Sequence, residues 1–177
     1  MPVFTKADFY YGAFLSLLIN RDLNPVLIDN DRDLKRRRYS VITNIDSFEF
    51  YCKYSTSPSI NKTRWDFPFS PNETDVLIDL VTNGVDLTFA FICYDKNEKA
   101  QELAIVSLNE FLQCVELNTY KDSTPRFSLV TRKHSPYIFI YGNKLSDNNA
   151  LAIKRNGLDA LLPSIHNIPE SKILISK

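Results

Sequence analysis

Phe48-Glu49-Phe50-Tyr51-Cys52-Lys53-Tyr54-Ser55-Thr56 is the stretch on which the fold turns. Aromatic and apolar residues alternate with polar ones, the pattern of a strand whose successive side chains point to opposite faces. Phe48, Phe50, Cys52 and Tyr54 share one face, expected to be buried; Glu49, Tyr51 and Lys53 share the other, where any chemistry would lie. Upstream, Tyr39 to Asn44 is also extended, and Ile45-Asp46-Ser47 is short enough to close a hairpin between the two segments.

Further upstream, Thr5 and Asp8 form a capping-box pattern, and Tyr10, Ala13, Phe14, Leu17 and Leu18 make an apolar stripe, which predicts a helix over Lys6 to Asn20. Val26-Leu27-Ile28 suits a short strand. The polar stretch Asp29 to Arg38 that follows is expected as a turn or exposed loop carrying the dense basic run Lys35-Arg36-Arg37-Arg38. Downstream comes a Ser-, Pro- and Asn-containing loop, Thr56 to Thr63, and then Trp65, Phe67 and Phe69 at alternate positions. Ser70-Pro71-Asn72-Glu73 opens a helix predicted to run to Asn83 and stop at Gly84.

Leu87 to Cys93 is almost continuously apolar, as in a strand covered on both faces. Leu103 to Val106 is a strand, Ser107-Leu108-Asn109-Glu110 caps a short helix, and Arg126 to Thr131 and Tyr137 to Tyr141 complete the order α, β, β, β, α, β, β, α, β, β. This predicts one mixed α/β domain over residues 1–144, a central mixed sheet flanked by helices. From Leu145 onward aromatic residues vanish and prolines interrupt, so residues 145–177 are expected as a C-terminal extension whose apolar run Ile173-Leu174-Ile175 can add to a sheet edge.

Composition narrows the chemistry. The 177 residues hold 21 Lys and Arg against 21 Asp and Glu, so only a local patch can draw a nucleic acid or an anionic surface. Gly12, Gly84, Gly142 and Gly157 are too scattered for a phosphate-cradling loop. His134, His166, Cys52, Cys93 and Cys114 show no zinc-ligand spacing, and neither histidine suits a Ser-His-Asp arrangement. The odd cysteine count with apolar neighbours fits a reducing compartment, and there is no signal-peptide pattern or membrane-spanning run; a cytoplasmic protein without a membrane partner is expected. The sequons at Asn61 and Asn72 are then chance matches.

The order helix, three strands, helix, strand, with the segment Phe48 to Thr56 in third-strand position, resembles the restriction-endonuclease-like, or PD-(D/E)XK, nucleases over roughly Lys6 to Leu117. The resemblance implies a metal-dependent nuclease using Mg²⁺, held by one acid on the second strand and another two positions before a third-strand lysine. Lys53 matches that lysine, but Tyr51 stands where the second acid belongs. Glu49 is the nearest acid on that face, ~13 Å along the strand, with Asp46 at the hairpin as a further member. Asp29 and Asp31 are acids that folding could bring in. The same residues also read as ordinary solvent-facing charges of a sheet, with Asp46 a turn former.

Nucleic-acid contact would fall to Lys35, Arg36, Arg37 and Arg38 on the backbone, with Arg64 and Trp65 as a cation-plus-stacking pair. Two functions follow. One is a nucleic-acid-associated, nuclease-like protein with an incomplete metal site, acting on DNA or RNA in conflict between bacteria and mobile elements. The other is a non-enzymatic interaction module, an inhibitor, immunity protein or complex subunit, with a protein partner or a second copy of itself.

Overall fold

In the computed structural model, the described residues are 3–29, 36–42, 47–56, 58, 63–95, 101–119, 124–155 and 157–166, without the side chains of 119 and 162–166. Asp31, Lys35, Asp46 and the apolar run at 173–175 lie outside them.

Local signals act as the sequence suggests. Helix α1 (Lys6–Ile19) starts at the Thr5–Asp8 capping box. Helices α2 (Pro71–Thr82) and α3 (Leu108–Cys114) start at boxes made by Ser70 with Glu73 and Ser107 with Glu110. In each, hydroxyl and carboxylate satisfy backbone N–H groups that the first turn leaves without partners. Just past α2, Gly84 takes φ +71°, the left-handed conformation that ends a helix.

The first sheet contains β1 (Pro25–Asp29), β2 (Arg36–Ile42), β3 (Ser47–Ser55), β5 (Leu87–Tyr94) and β6 (Gln101–Ser107), in the order β1-β2-β3-β5-β6. All its neighbours are antiparallel except β3 and β5, which run parallel. The chain between those two strands forms β4 (Arg64–Pro68) and α2. Strand β4 leaves the first sheet and joins β7 (Arg126–Thr131), β8 (Tyr137–Gly142) and β9 (Leu151–Lys154) in an antiparallel sheet of order β4-β7-β8-β9.

The fold is therefore mixed α and β, as expected, but with two sheets. The alternation Trp65, Phe67, Phe69 signals β4, which the sequence order omitted. The segment set apart from residue 145 supplies β9 and helix α4 (Gly157–His166), whose Leu158 lies in the core. The arginines also differ: Arg36, Arg37 and Arg38 stand in β2, paired with Lys53, Cys52 and Tyr51 of β3, not in a loop. Cross-strand pairing decides this, since nothing local to a charge run favours a strand.

Two apolar layers cover the first sheet. On one side Tyr11, Phe14 and Leu18 of α1 and Leu158 of α4 meet Tyr39, Val41, Phe50 and Cys52. On the other, Tyr51, Phe89 and Phe91 face Trp65, Phe67, Phe127, Leu129, Ile138 and Ile140 of the second sheet, with Phe111 of α3 stacked 4.0 Å from Phe89. Strand β8 ends where backbone is close: a Cβ on Gly142 would lie 2.5 Å from the Cys114 carbonyl oxygen. No helix among the described residues is long and apolar enough to cross a membrane.

Candidate functional site

The face of β3 expected to meet solvent is instead roofed by α2 and the second sheet. Tyr51 is 0% and Lys53 6% exposed. Both faces of β3 are buried because this strand lies inside a layered molecule, an outcome that period-2 alternation cannot reveal.

Beneath the start of α2, Lys53 Nζ donates to Glu73 Oε1 and, at 2.9 Å, to the Pro68 carbonyl oxygen. It also lies 4.6 Å from the centroid of the Phe69 ring. Glu73, 4% exposed, is held from several sides: its Oε2 accepts the Ser70 N–H at 3.0 Å, and Tyr51 donates its hydroxyl to Oε1 at 3.5 Å. Arg36 sits over the Tyr51 ring, 5.8 Å from its centroid, and pairs with Asp29 at 3.2 Å. Burial, reinforced by the Glu73 charge, pushes the Tyr51 phenol well above its ordinary value and keeps it protonated.

This network binds four elements together: β1 through Asp29, β2 through Arg36, β3 through Tyr51 and Lys53, and α2 through Glu73. A buried ammonium and carboxylate are tolerated because each is hydrogen-bonded as well as charge-paired. The helix N-terminus adds favourable potential for the Glu73 carboxylate. Chemically, the arrangement aims Lys53 Nζ donors at protein oxygens.

Glu49 and Lys53 are not brought together. Glu49 pairs with Arg38 at 2.6 Å, and Arg38 also lies 3.8 Å from Asp29. Among the described residues, no three His, Cys, Asp or Glu side chains are grouped to hold a metal ion.

The basic run is likewise engaged within the chain. Arg36 pairs with Asp29, Arg37 with Asp8 at 3.0 Å, and Arg38 with Glu49. Arg64 and Trp65 point to opposite faces of β4. Trp65 is buried between the sheets, its Nε1 donating to the Tyr94 carbonyl oxygen at 3.3 Å; Arg64 lies outside, paired with Asp66 at 2.9 Å. A joint stacking site for the two is thus corrected by the strand pleat. His134 is exposed in the β7–β8 turn at φ +60°. Cys52, Cys93 and Cys114 are free and buried, and burial raises their thiols, that of Cys114 to about 11, away from nucleophilic use.

Glu73, central here, was legible only as a capping residue. Its second role appears when α2 folds over β3. Comparison of the chain with family models, with curated proteins and with solved structures finds no match in any of the three.

Proposed function

We propose that this protein is a non-enzymatic binding module on a nuclease-like scaffold. The observation that carries the reading is the engagement of Lys53 by Glu73 and the Pro68 carbonyl beneath α2. A lysine that activates water or neutralises a scissile phosphate needs its donors directed at substrate; here they are directed at the protein. The order helix, three strands, helix, strand, with β4 inserted and β3 parallel to β5, supports the scaffold half of the reading. The free, buried cysteines support a reducing, cytoplasmic setting. In conflict between bacteria and mobile elements, such a module would serve as an inhibitor, immunity protein or complex subunit.

One contact favours a second reading. Glu73 brings a carboxylate from α2 to Lys53, a rearranged acid–lysine pair that could serve a nuclease loaded with Mg²⁺. Incubation with labelled single- and double-stranded DNA and RNA, with Mg²⁺ or Mn²⁺, separates the two. The binding module leaves all of them intact. Metal-dependent cleavage that disappears in Lys53→Ala and in Glu73→Gln, each still folded by circular dichroism, would overturn it in favour of the nuclease.

A further inference from the structure

We propose that the outer face of the β4-β7-β8-β9 sheet binds single-stranded nucleic acid, with bases stacking on Tyr137 and on the Arg132–Phe139 pair and phosphates held by Arg64, Arg132 and Lys154. The proposal rests on the non-enzymatic reading and gives that module a nucleic-acid ligand on this face.

The pleat of β8 produces the face. Ile138 and Ile140 point inward and are fully buried between the sheets, so Tyr137, Phe139 and Tyr141 lie on the opposite face along one line, Tyr137 exposed, Phe139 partly covered and Tyr141 buried. Neighbours in register bring cations to that line. Lys154 of β9 is opposite Tyr137, and Arg64 of β4 is opposite Val130, itself opposite Phe139. The Arg64 guanidinium stands 5.6 Å from the Tyr141 centroid, and that of Arg132 stands 3.8 Å from the Phe139 centroid, the separation of stacked layers.

Charge on this face is one-sided. Asp66 is the acid among these residues, and it already accepts Arg64 and the Ser128 hydroxyl at 2.6 Å. Arg132 and Lys154 are exposed and have no ion pair among the described residues. Tyr137 is 43% exposed.

Aromatic rings and guanidinium planes set in a positive field on an antiparallel sheet suit unpaired bases and their phosphates. Paired bases hide their faces, so a duplex could meet only the cations.

Fluorescence anisotropy with labelled single strands of about 12 nucleotides, DNA and RNA, in EDTA and at several salt concentrations tests this, with the corresponding duplexes as competitors. Single strands are expected to bind at least about tenfold more tightly than duplexes. Tyr137→Ala should weaken binding about tenfold with little change in salt slope. Arg132→Ala with Lys154→Ala should lower the slope by about 1.4, two phosphate contacts. All three positions are exposed, and far-ultraviolet circular dichroism confirms that each variant folds. No binding at low salt, a duplex preference, or affinity unmoved by these substitutions would overturn the proposal. So would concentration-dependent self-association in sedimentation that Tyr137→Ala abolishes, because the face would then be a protein interface. Cleavage of the probes when Mg²⁺ replaces EDTA would overturn the non-enzymatic reading, and leaves the binding result to be judged by itself.

Discussion

Two groups of cations lie on this protein, and they are deployed in opposite ways. Arg36, Arg37 and Arg38 are consecutive in sequence, yet each faces an acid of the chain: Asp29, Asp8 and Glu49. Arg64, Arg132 and Lys154 are scattered in sequence, yet they converge on one sheet face beside Tyr137, Phe139 and Tyr141; Arg64 is paired with Asp66, while Arg132 and Lys154 have no ion pair among the described residues. The field around a protein depends on where charges lie after folding and on what neutralises them, so a run of cations is a weak guide to a binding surface. The same contrast separates the sealed Lys53–Glu73 pair, which holds elements together, from the open face, which is available to a partner.

The strongest way to break the contrast is at its sealed side. Lys53→Met should remove about 3–5 kcal/mol of stability in urea denaturation, because the Glu73 carboxylate remains buried without its cation. Adding Glu73→Gln should recover much of that loss, since glutamine can retain the cap and carries no charge. A loss below about 1 kcal/mol for Lys53→Met would mean that the pair behaves as an exposed one. While the fold persists, oligonucleotide affinity should be unchanged.

Ser70→Ala tests how firmly the roof is set. It removes the hydroxyl that accepts the Glu73 N–H, and should cost about 1 kcal/mol by the same measurement. Smaller still is Arg37→Ala, which breaks a partly exposed pair with Asp8 and should cost below about 1 kcal/mol. Its value is comparative: if the arginine run is engaged internally, this substitution leaves the affinity and salt slope for single strands unaltered. A fall in slope would return phosphate binding to that run.

The mildest effect is pH-dependent. The Thr5 hydroxyl and backbone N–H, with a lesser contribution from Arg37, hold the Asp8 carboxyl below its ordinary value of 3.8. Its folded pKa is depressed, so its contribution is present above 3.8 and lost as pH falls through the folded value. The difference in urea midpoint between the natural protein and Asp8→Asn should be small near neutrality and shrink below pH 3.8. A difference that grows on acidification would contradict the sign.

Much of the secondary structure was legible because its causes are local. Thr5 with Asp8, Ser70 with Glu73 and Ser107 with Glu110 are each three residues apart and declare where helices begin. The almost continuous apolar run at β5 announces burial on both faces. The candidate site was only half legible. Lys53 was singled out, but its partner was sought along its own strand at Glu49, whereas Glu73 lies 20 residues away on a helix folded above it. Trp65 beside Arg64 reads either as half of a stacking pair or, with Phe67 and Phe69, as a staple between the following helix and the sheet; the pleat turns it inward and leaves Arg64 outside. Tyr137 to Tyr141 was legible only as a strand, with its aromatic residues expected in the core; that Tyr137 is exposed opposite Ile138 and Ile140 appeared only when β8 took its place between β7 and β9.

What the sequence determined alone was thus the set of elements whose caps, breakers and periods act within a few residues: three capped helices, the stop at Gly84 and the alternation of β3. The tertiary structure decided which charges neutralise one another, that β4 leaves the first sheet for the second, and that the Lys53 face is sealed while the β8 face is open. The physical reason is range. Caps and pleats are fixed by the backbone of one turn or one strand, whereas the burial of Lys53 and the pairings of Lys53 with Glu73 and of Arg37 with Asp8 depend on groups 20 or more residues apart, which meet only when the layers close.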